Sequence, residues 1–379
     1  MRVYLDNALT TPLDEEVFEA MKPYMMTLYG NPSSIHSYGR EAKAAVEKAR
    51  RKVAELLNTT PSEIFFTSGG TEGNNMVLQR SVAALDVRHV ITSPIEHHAV
   101  LQPLTQLAKK GKIQLSFVAM DKKGCIQYDH LESLLKKHEK SLVSLMHANN
   151  EIGNISDISL IGALCKTYGA IFHSDAVQSI GHCTYNLQAL PIHFLVGSAH
   201  KFHGPKGIGL IYINSKVKLE PLIYGGAQER NMRGGTENVY SIVGLSKALE
   251  IAYRDMEKDR RYIQELKDRM IHRLRTLIPD IGFNGDSDNP EKSLYTLLSV
   301  RLPLSDEQDM LLFNLDIEQI AASAGSACTS GSNVGSHVLA VLKNTSAGGN
   351  IRFSFSKYNT EEEIDYTVET LAELCQVSM

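Results

Sequence analysis

Hydrophobic and polar residues alternate along this chain in two distinct patterns. From 42 to 57, small and aliphatic residues recur every three or four positions, with Lys, Arg and Glu between them, which predicts an amphipathic helix. Seven short apolar runs predict strands, at 63–67, 89–92, 114–118, 142–146, 170–173, 194–196 and 209–213. Because stretches with helical patterning separate these runs, we predict an α/β fold with a mainly parallel seven-stranded sheet, covered on both faces and carrying its sites at the carboxyl ends of strands.

The last third of the chain has a different pattern. A long helical stretch at 239–277 is rich in charged residues and is interpreted as solvated helices that link two domains. Strand patterns at 293–301 and 350–356, with helical patterning at 360–375, indicate a smaller α+β domain. A length of 379 residues also favours two domains. We expect a large domain at 15–255 and a small domain made of 1–14 and 256–379.

Charge and hydropathy exclude several classes of protein. The chain has 39 Lys and Arg against 43 Asp and Glu, a net charge of −4, so nothing in the charge predicts binding to nucleic acid. Its apolar runs are far shorter than the roughly 20 residues of a membrane span, so no membrane association is expected. The first residues lack the apolar stretch of a secretory signal, and the expected location is the cytoplasm.

Five cysteines are scattered along the chain, and one has unusual neighbours. No C-x-x-C pair is present, so neither a zinc ribbon nor a thioredoxin-type motif is available. Cys328 lies in a run of small and polar residues at 324–332, which predicts an exposed loop that moves, although an incidental surface cysteine remains an alternative. The other thiols are expected to pack as small hydrophobic groups, and they belong to Cys125, Cys165, Cys183 and Cys375.

Three strand ends carry candidate chemistry. The segment 68–75 follows a strand with a glycine turn and a helix start, which is typical of an anion site but also of a simple capped turn. Asp175 follows the predicted strand at 170–173, either as a buried carboxylate that meets a cation or a set of donors, or as a helix cap. Lys201 lies at a third strand end, before a glycine-rich turn, although most lysines are merely solvated. Together these residues fit pyridoxal 5′-phosphate (PLP), which needs a phosphate cup, a carboxylate beside its ring nitrogen and a Schiff-base lysine.

Segments along essentially the whole chain carry a family resemblance. They are Tyr-Leu-Asp-Asn-Ala at 4–8, Asn-Pro-Ser-Ser-Ile-His at 31–36, Thr-Ser-Gly-Gly-Thr-Glu at 67–72, Glu-His at 96–97, Asn-Asn-Glu-Ile-Gly at 149–153, Phe-His-Ser-Asp-Ala-Val-Gln at 172–178, Ser-Ala-His-Lys-Phe-His-Gly-Pro-Lys-Gly at 198–207, Arg-Gly-Gly-Thr-Glu-Asn at 233–238, Gly-Ser-Ala-Cys-Thr at 325–329 and Ile-Arg-Phe-Ser at 351–354. In these segments the chain resembles the NifS/IscS-like cysteine desulfurases, within the class V aminotransferase family. The resemblance implies the fold of type I PLP-dependent transferases and a homodimer.

The same resemblance implies how the cofactor would be held. Lys201 would bind PLP covalently and Asp175 would pair with the protonated ring nitrogen. Gln178 would contact the ring hydroxyl, and His97 would stack on the ring face and take part in catalysis. The phosphate would be bound by residues from two strand ends, namely Gly70, Thr71, Ser198 and His200. Thr236 would reach the phosphate in the partner subunit.

The implied reaction converts L-cysteine to L-alanine. Asn150 and Arg352 would bind the substrate, with the guanidinium of Arg352 on its carboxylate. Cys328 would take the sulfur as a persulfide and pass it to an acceptor protein, such as an iron–sulfur scaffold. The long loop from 325 to about 338 resembles that of the scaffold-donating group. No resident metal site is expected, beyond transient ligation of a cluster by Cys328.

Three alternatives remain open at this stage. A selenocysteine lyase or another class V PLP enzyme would share the scaffold, although a transaminase needs no nucleophilic thiol such as Cys328. The third alternative is a protein that binds sulfur-transfer partners and has no catalytic activity of its own. Such a protein would not need Lys201, Asp175 and His97 together.

Overall fold

The computed structural model of the chain describes residues 1–303, 310–324, 336–342 and 349–377. The helices in these ranges are α1 (Glu15–Met26), α2 (Ser37–Leu56), α3 (Gly70–Ala84), α4 (His98–Lys109), α5 (Tyr128–Lys137), α6 (Ile158–Thr167), α7 (Val239–Leu277), α8 (Leu311–Ile317), α9 (His337–Val341) and α10 (Glu361–Val377). The strands are β1 (Val3–Tyr4), β2 (Ile64–Thr67), β3 (His89–Thr92), β4 (Gln114–Phe117), β5 (Ser141–Ser144), β6 (Ile171–Asp175), β7 (Phe194–Ser198), β8 (Gly209–Ile213), β9 (Gly282–Phe283), β10 (Leu297–Arg301), β11 (Ile320–Ala321) and β12 (Asn350–Ser354).

The seven predicted strands form one sheet. Its order is β2-β8-β7-β6-β5-β3-β4, and β8 runs in the direction opposite to the other six strands. The central strands are continuously buried, as expected where helices cover both faces of a parallel sheet. The predicted fold class is therefore confirmed, and the carboxyl ends of β2, β6 and β7 lie along one edge.

A single helix of 39 residues, α7, replaces the several solvated helices expected at 239–277. At 1.5 Å per residue it is about 58 Å long. Its apolar side chains serve two hydrophobic clusters: Leu245 packs in the cluster beneath the large sheet, and Ile263 and Leu266 pack in a second cluster with β10 and β12. The expectation of solvated helices was wrong because one side of α7 is buried, and this side includes even a charged residue, Lys267.

The N-terminal segment completes the part of the fold built by the end of the chain. β1 pairs in parallel with β11, and Leu5 is buried in the second cluster. Asp14 caps the start of α1 and accepts hydrogen bonds from Lys357 Nζ and Tyr358 Oη, each at 2.7 Å. Burial opposes ionisation, but these partners outweigh it and lower the pKa of Asp14 to about 2. The first residues are thus fixed to the last third of the chain.

None of the helices in the described ranges has the length and apolar composition that crossing a membrane requires.

Candidate active site

A cavity of about 250 Å³ opens at the edge where β2, β6 and β7 end. Its lining includes most of the residues singled out from the sequence: Gly70, Thr71, His97, Asn150, Asp175, Gln178, Ser198, His200, Lys201 and Arg352. Thr236 is exposed and does not line this cavity. Cys328 lies outside the described residues. The structure therefore brings the lining residues together at one strand edge, while their individual roles stay predictions.

One end of the cavity is built to hold an anion. α3 begins at Gly70, directly after the turn that follows β2, so its free backbone N–H groups and the positive end of its dipole face the lining. A Cβ on Gly70 would lie 2.5 Å from Cγ2 of Val177, so only glycine lets the helix start this close to the sheet. Ser198, the buried last residue of β7, adds a hydroxyl beside this helix start.

Asp175 supplies a carboxylate in the middle of the cavity wall. It is the last residue of β6, which extends two residues beyond the predicted run. Asp175 Oδ2 accepts a hydrogen bond from Asn74 Nδ2 at 2.7 Å, and Oδ1 accepts one from the backbone N–H of Val177 at 3.0 Å. These two donors fix the plane of a buried carboxylate that faces the cavity.

Lys201 lies in a short 3-10 turn after β7, formed by Ala199–Lys201. Its ammonium donates to the carbonyl oxygens of Ala8 and Leu9, both at 2.7 Å. Gln178 Nε2 also donates to the Ala8 carbonyl, at 2.8 Å. The N-terminal segment therefore forms one wall of the site and positions both side chains.

Two histidines of the cavity are held neutral. His97 precedes α4 and its Nδ1 accepts from the backbone N–H of Ala99 at 3.1 Å, which leaves the ring proton on Nε2. Burial lowers the pKa of His97, although the carboxylate of Asp175 opposes this change. Burial, together with Lys201, lowers the pKa of His200 to about 4. Both rings can therefore donate or accept a hydrogen bond without carrying charge at neutral pH.

Arg352 brings a buried cation to the other side of the cavity. Its Nη2 pairs with Asp6 Oδ1 at 2.8 Å, and its Nη1 donates to the carbonyl oxygen of Asn150 at 2.9 Å. The buried Nε has no hydrogen-bond partner among the described residues. A guanidinium that is 3% exposed and only partly satisfied favours an incoming carboxylate.

Sequence reasoning missed several residues of the lining, including Ala8, Leu9, Asn74, His98, Glu151 and His337. Asn74 could have been found, because a polar residue one turn into a helix that covers a strand-end carboxylate is unusual. Residues 8 and 9 bind Lys201 through their backbone carbonyl groups, and no local sequence pattern predicts such a long-range contact.

The fold and this site define the family. The profile of the aminotransferase class-V family matches residues 3–367, and the chain belongs to that family. It is 43% identical over 380 residues to a protein named cysteine desulfurase IscS from Dictyoglomus turgidum, covering 99% of this chain and 94% of that protein. It is 42% identical to cysteine desulfurase IscS from Methanosarcina thermophila, over 99% of this chain and 92% of the relative. A solved structure titled NifS-like protein matches with a TM-score of 0.91 and 38% identity, over 100% of both chains.

These comparisons confirm the resemblance to the NifS/IscS-like group and the choice of PLP as cofactor. The residues of the cavity fit that cofactor, since they offer an amine at Lys201, a fixed carboxylate at Asp175 and a helix N-terminus at Gly70 for a phosphate. Across the described ranges, no group of three or more His, Cys, Asp or Glu side chains is placed to hold a metal ion.

Proposed function

We propose that this protein is a cysteine desulfurase, which converts L-cysteine to L-alanine and transfers the sulfur to Cys328 as a persulfide. The observation that carries the proposal is the placement of Lys201, Asp175 and Arg352 around one cavity. An amine, a carboxylate and a carboxylate-binding guanidinium are what a PLP enzyme acting on a small amino acid requires. Relatives named cysteine desulfurase at more than 40% identity support the choice of substrate.

The residues of the chain divide the chemistry among them. PLP, when bound, draws electrons from the Cα atom of the amino acid attached to it. Asp175 would hold the proton on the cofactor ring nitrogen, Gln178 would bind the ring hydroxyl, and His97 would lie against the ring. Lys201 would hold the cofactor and would supply the base for proton transfer at Cα.

The substrate is held at its carboxylate. Arg352 Nε and Nη groups bind the carboxylate, and Asn150 lies beside them on the cavity wall. The other end of the cavity binds the cofactor phosphate through Gly70, Thr71, Ser198 and His200.

Sulfur transfer is a displacement at the substrate sulfur. The Cys328 thiolate forms a new S–S bond to that sulfur, and the Cβ–S bond of the substrate breaks. The electron pair of the broken bond remains on Cβ, where a proton completes the methyl group of alanine. No external oxidant or reductant is needed, because one thiol and cysteine become one persulfide and alanine.

The test measures alanine and sulfide separately. The purified holoenzyme should release alanine from L-cysteine, and sulfide when a reducing thiol is present. Cys328→Ser should bind cysteine and perturb the cofactor absorbance but release no sulfide, whereas Cys375→Ser should behave as the wild type. A wild-type protein that forms alanine from selenocysteine and none from cysteine would overturn the proposal in favour of a selenocysteine lyase.

Arg352 is tested through the substrate rather than the cofactor. Arg352→Gln should raise KM for cysteine about 100-fold or more, since a charge-assisted bidentate pair contributes about 3 kcal/mol. Arg254→Gln is the matched control, because that arginine is paired at the surface. An unchanged KM in Arg352→Gln would contradict the assignment of the carboxylate site.

We further propose that the active unit is a homodimer in which Thr236 reaches the partner's phosphate site. Exposed hydrophobic side chains that a second copy could cover support this: Ile35 is 91% exposed, Met26 72% and Tyr29 71%. Mixing Lys201→Ala with Thr236→Ala subunits should restore one intact site if Thr236 acts across the interface. If mixing restores no activity, Thr236 acts on the phosphate site of its own subunit.

The acceptor is proposed to be an iron–sulfur scaffold protein in the cytoplasm. The long segment 325–338 around Cys328 supports this, since the sulfur must travel from the cavity to a second protein. Radiolabelled sulfur loaded on Cys328 should move to a purified scaffold and bypass an unrelated thiol protein. Transfer to a tRNA-thiolation carrier instead would redirect the assignment.

A further inference from the structure

A buried row of polar side chains leads across the sheet to Asp175. Asn74 Nδ2 donates to Asp175 Oδ2 at 2.7 Å, and Asn74 Oδ1 lies 3.1 Å from His173 Nε2. His173 Nδ1 in turn lies 2.9 Å from Ser144 Oγ. Each of these side chains belongs to a residue less than 7% exposed, and the first three positions of the row, Ser144, His173 and Asn74, are at most 1% exposed.

The chemistry of the acceptor sets the direction of every hydrogen bond in the row. A carboxylate only accepts, so the amide of Asn74 must turn its NH₂ group towards Asp175 and its oxygen towards His173. That oxygen needs a donor, which places the ring proton of His173 on Nε2. Nδ1 is then an acceptor for the hydroxyl of Ser144. All three donors therefore point the same way, towards the carboxylate.

His173 is suited to this arrangement only in its neutral form. The ring is completely buried, and burial lowers its pKa to about 3. Its neutral tautomer is therefore fixed across the whole working range of pH. Aligned hydrogen bonds in a low-dielectric interior strengthen one another, so the three bonds hold the Asp175 carboxylate in its orientation more firmly than Asn74 would alone.

The sequence builds this row by simple periodicities. His173 and Asp175 are two residues apart on β6 and share one face of the sheet, which α3 covers. Ser144 is the direct neighbour of His173 in the β5–β6 register. Asn74 lies one turn into α3, four residues after the Gly70 that starts the proposed phosphate site.

We propose that Ser144, His173 and Asn74 are positioning residues that fix the orientation of the Asp175 carboxylate, and through it the protonation of the cofactor ring nitrogen. This inference rests on the proposed binding of PLP at the site. It adds a function for side chains that touch neither substrate nor cofactor. The phosphate and the substrate carboxylate are bound elsewhere in the cavity, so the row should act on the ring nitrogen alone.

The test uses cofactor affinity and a spectrophotometric pH titration of the bound cofactor. Asn74→Leu and His173→Leu should raise the Kd for PLP about tenfold. They should also raise the midpoint of the titration by about one pH unit, because a ring nitrogen that holds its proton less well makes the nitrogen bound to Lys201 more basic. KM for cysteine should change much less than these two quantities.

Two variants separate positioning from simple packing. His173→Gln keeps a donor near the Nε2 position and should retain wild-type values, whereas the shorter His173→Asn should not. Ser174→Ala is the matched control, since this buried hydroxyl of the same strand has no hydrogen-bond partner among the described residues. The Gln and Asn variants are of similar polarity, so the comparison stands even if the leucine variants do not fold.

Three outcomes would overturn the proposal: wild-type Kd and midpoint in the folded leucine variants, equal values for the Gln and Asn variants, or a shift in Ser174→Ala as large as in Asn74→Leu. Each can occur in an enzyme that still converts cysteine to alanine, so this failure is distinguishable from failure of the proposed function. A wild-type protein that binds no PLP would instead refute the function itself.

Discussion

Arg50 and Glu229 form a buried ion pair beside the large sheet, and removal of this pair should destabilise the fold strongly. Two hydrogen bonds join the guanidinium to the carboxylate, at 2.7 and 2.8 Å, and the two side chains are 2% and 3% exposed. The carboxylate also accepts from the backbone N–H of Phe66, and the guanidinium donates to the carbonyl oxygen of Ile64. A third hydrogen bond, from Arg50 Nε to Glu47 Oε1 at 3.1 Å, leads from this pair towards the surface.

Arg50→Ala would leave the carboxylate of Glu229 buried without its cation. Breaking a buried pair in this way costs about 3–5 kcal/mol. With an unfolding entropy of about 2.1 cal/mol/K per residue, a chain of 379 residues should lose about 4–6 °C in Tm. The double variant Arg50→Met with Glu229→Leu should recover much of this loss, because neither charge is then buried alone.

Differential scanning calorimetry of the holoenzyme measures these changes directly. Lys52→Ala is a matched control on the same helix, since Lys52 pairs with Glu55 at the surface and should leave Tm unchanged. If Arg50→Ala lowered Tm no more than Lys52→Ala does, the buried pair would not have the energetic role derived from its contacts. A double variant less stable than Arg50→Ala would contradict the same reasoning.

Three further predictions concern pH, thiol reactivity and the anion site. The partners of Asp14 lower its pKa in the folded state from the usual 3.8 to about 2. Its ionised form therefore contributes about 2 kcal/mol of stability above pH 4, and this contribution is lost as the pH falls towards 2. Asp14→Asn should destabilise the protein in urea titrations at pH 7 and not at pH 2. Burial raises the pKa of Cys165 to about 12. Iodoacetamide at pH 7.5 should therefore label Cys328 and leave Cys165 unlabelled in peptide mass spectra. Labelling of Cys165 before Cys328 would contradict this prediction. Gly70→Ala should weaken PLP binding, measured by absorbance, because its Cβ would collide with Val177; an unchanged Kd would mean that the helix start can move.

The sequence predicted the elements of the large sheet well because each strand is a short apolar run between helical segments. Bounds differed where polar residues extend a strand: β6 continues through Ser174 to Asp175, although neither is apolar. Pairing with β7 and the cover of α3 stabilise these residues as strand, and that is tertiary information. The single long α7 was missed for the same reason. Its many charged residues give the segment a polar composition, and which of its sides is buried depends on tertiary packing.

Recognition of the candidate site depended on strand ends, which place distant residues along one edge. Gly70, Asp175 and Lys201 were found in this way. Asn74 and the carbonyl groups of residues 8 and 9 were not, because their roles arise from contacts between segments far apart in the chain. The roles of all the candidate site residues stay predictions, including those of Cys328 and Thr236. The domain limits of 15–255 and 1–14 with 256–379 also stay predictions, which limited proteolysis would test.

The dependence of the site on the N-terminal segment also governs when it can form during synthesis. β1 cannot pair with β11 until the ribosome has made Ile320, the partner of Val3. The carbonyl groups of residues 8 and 9 bind Lys201 only when the N-terminal segment is docked. At roughly 5–20 residues per second, a ribosome needs about 15–60 s to make the intervening chain. All strands of the large sheet are therefore synthesised well before the N-terminal segment can pair with β11 beside the site.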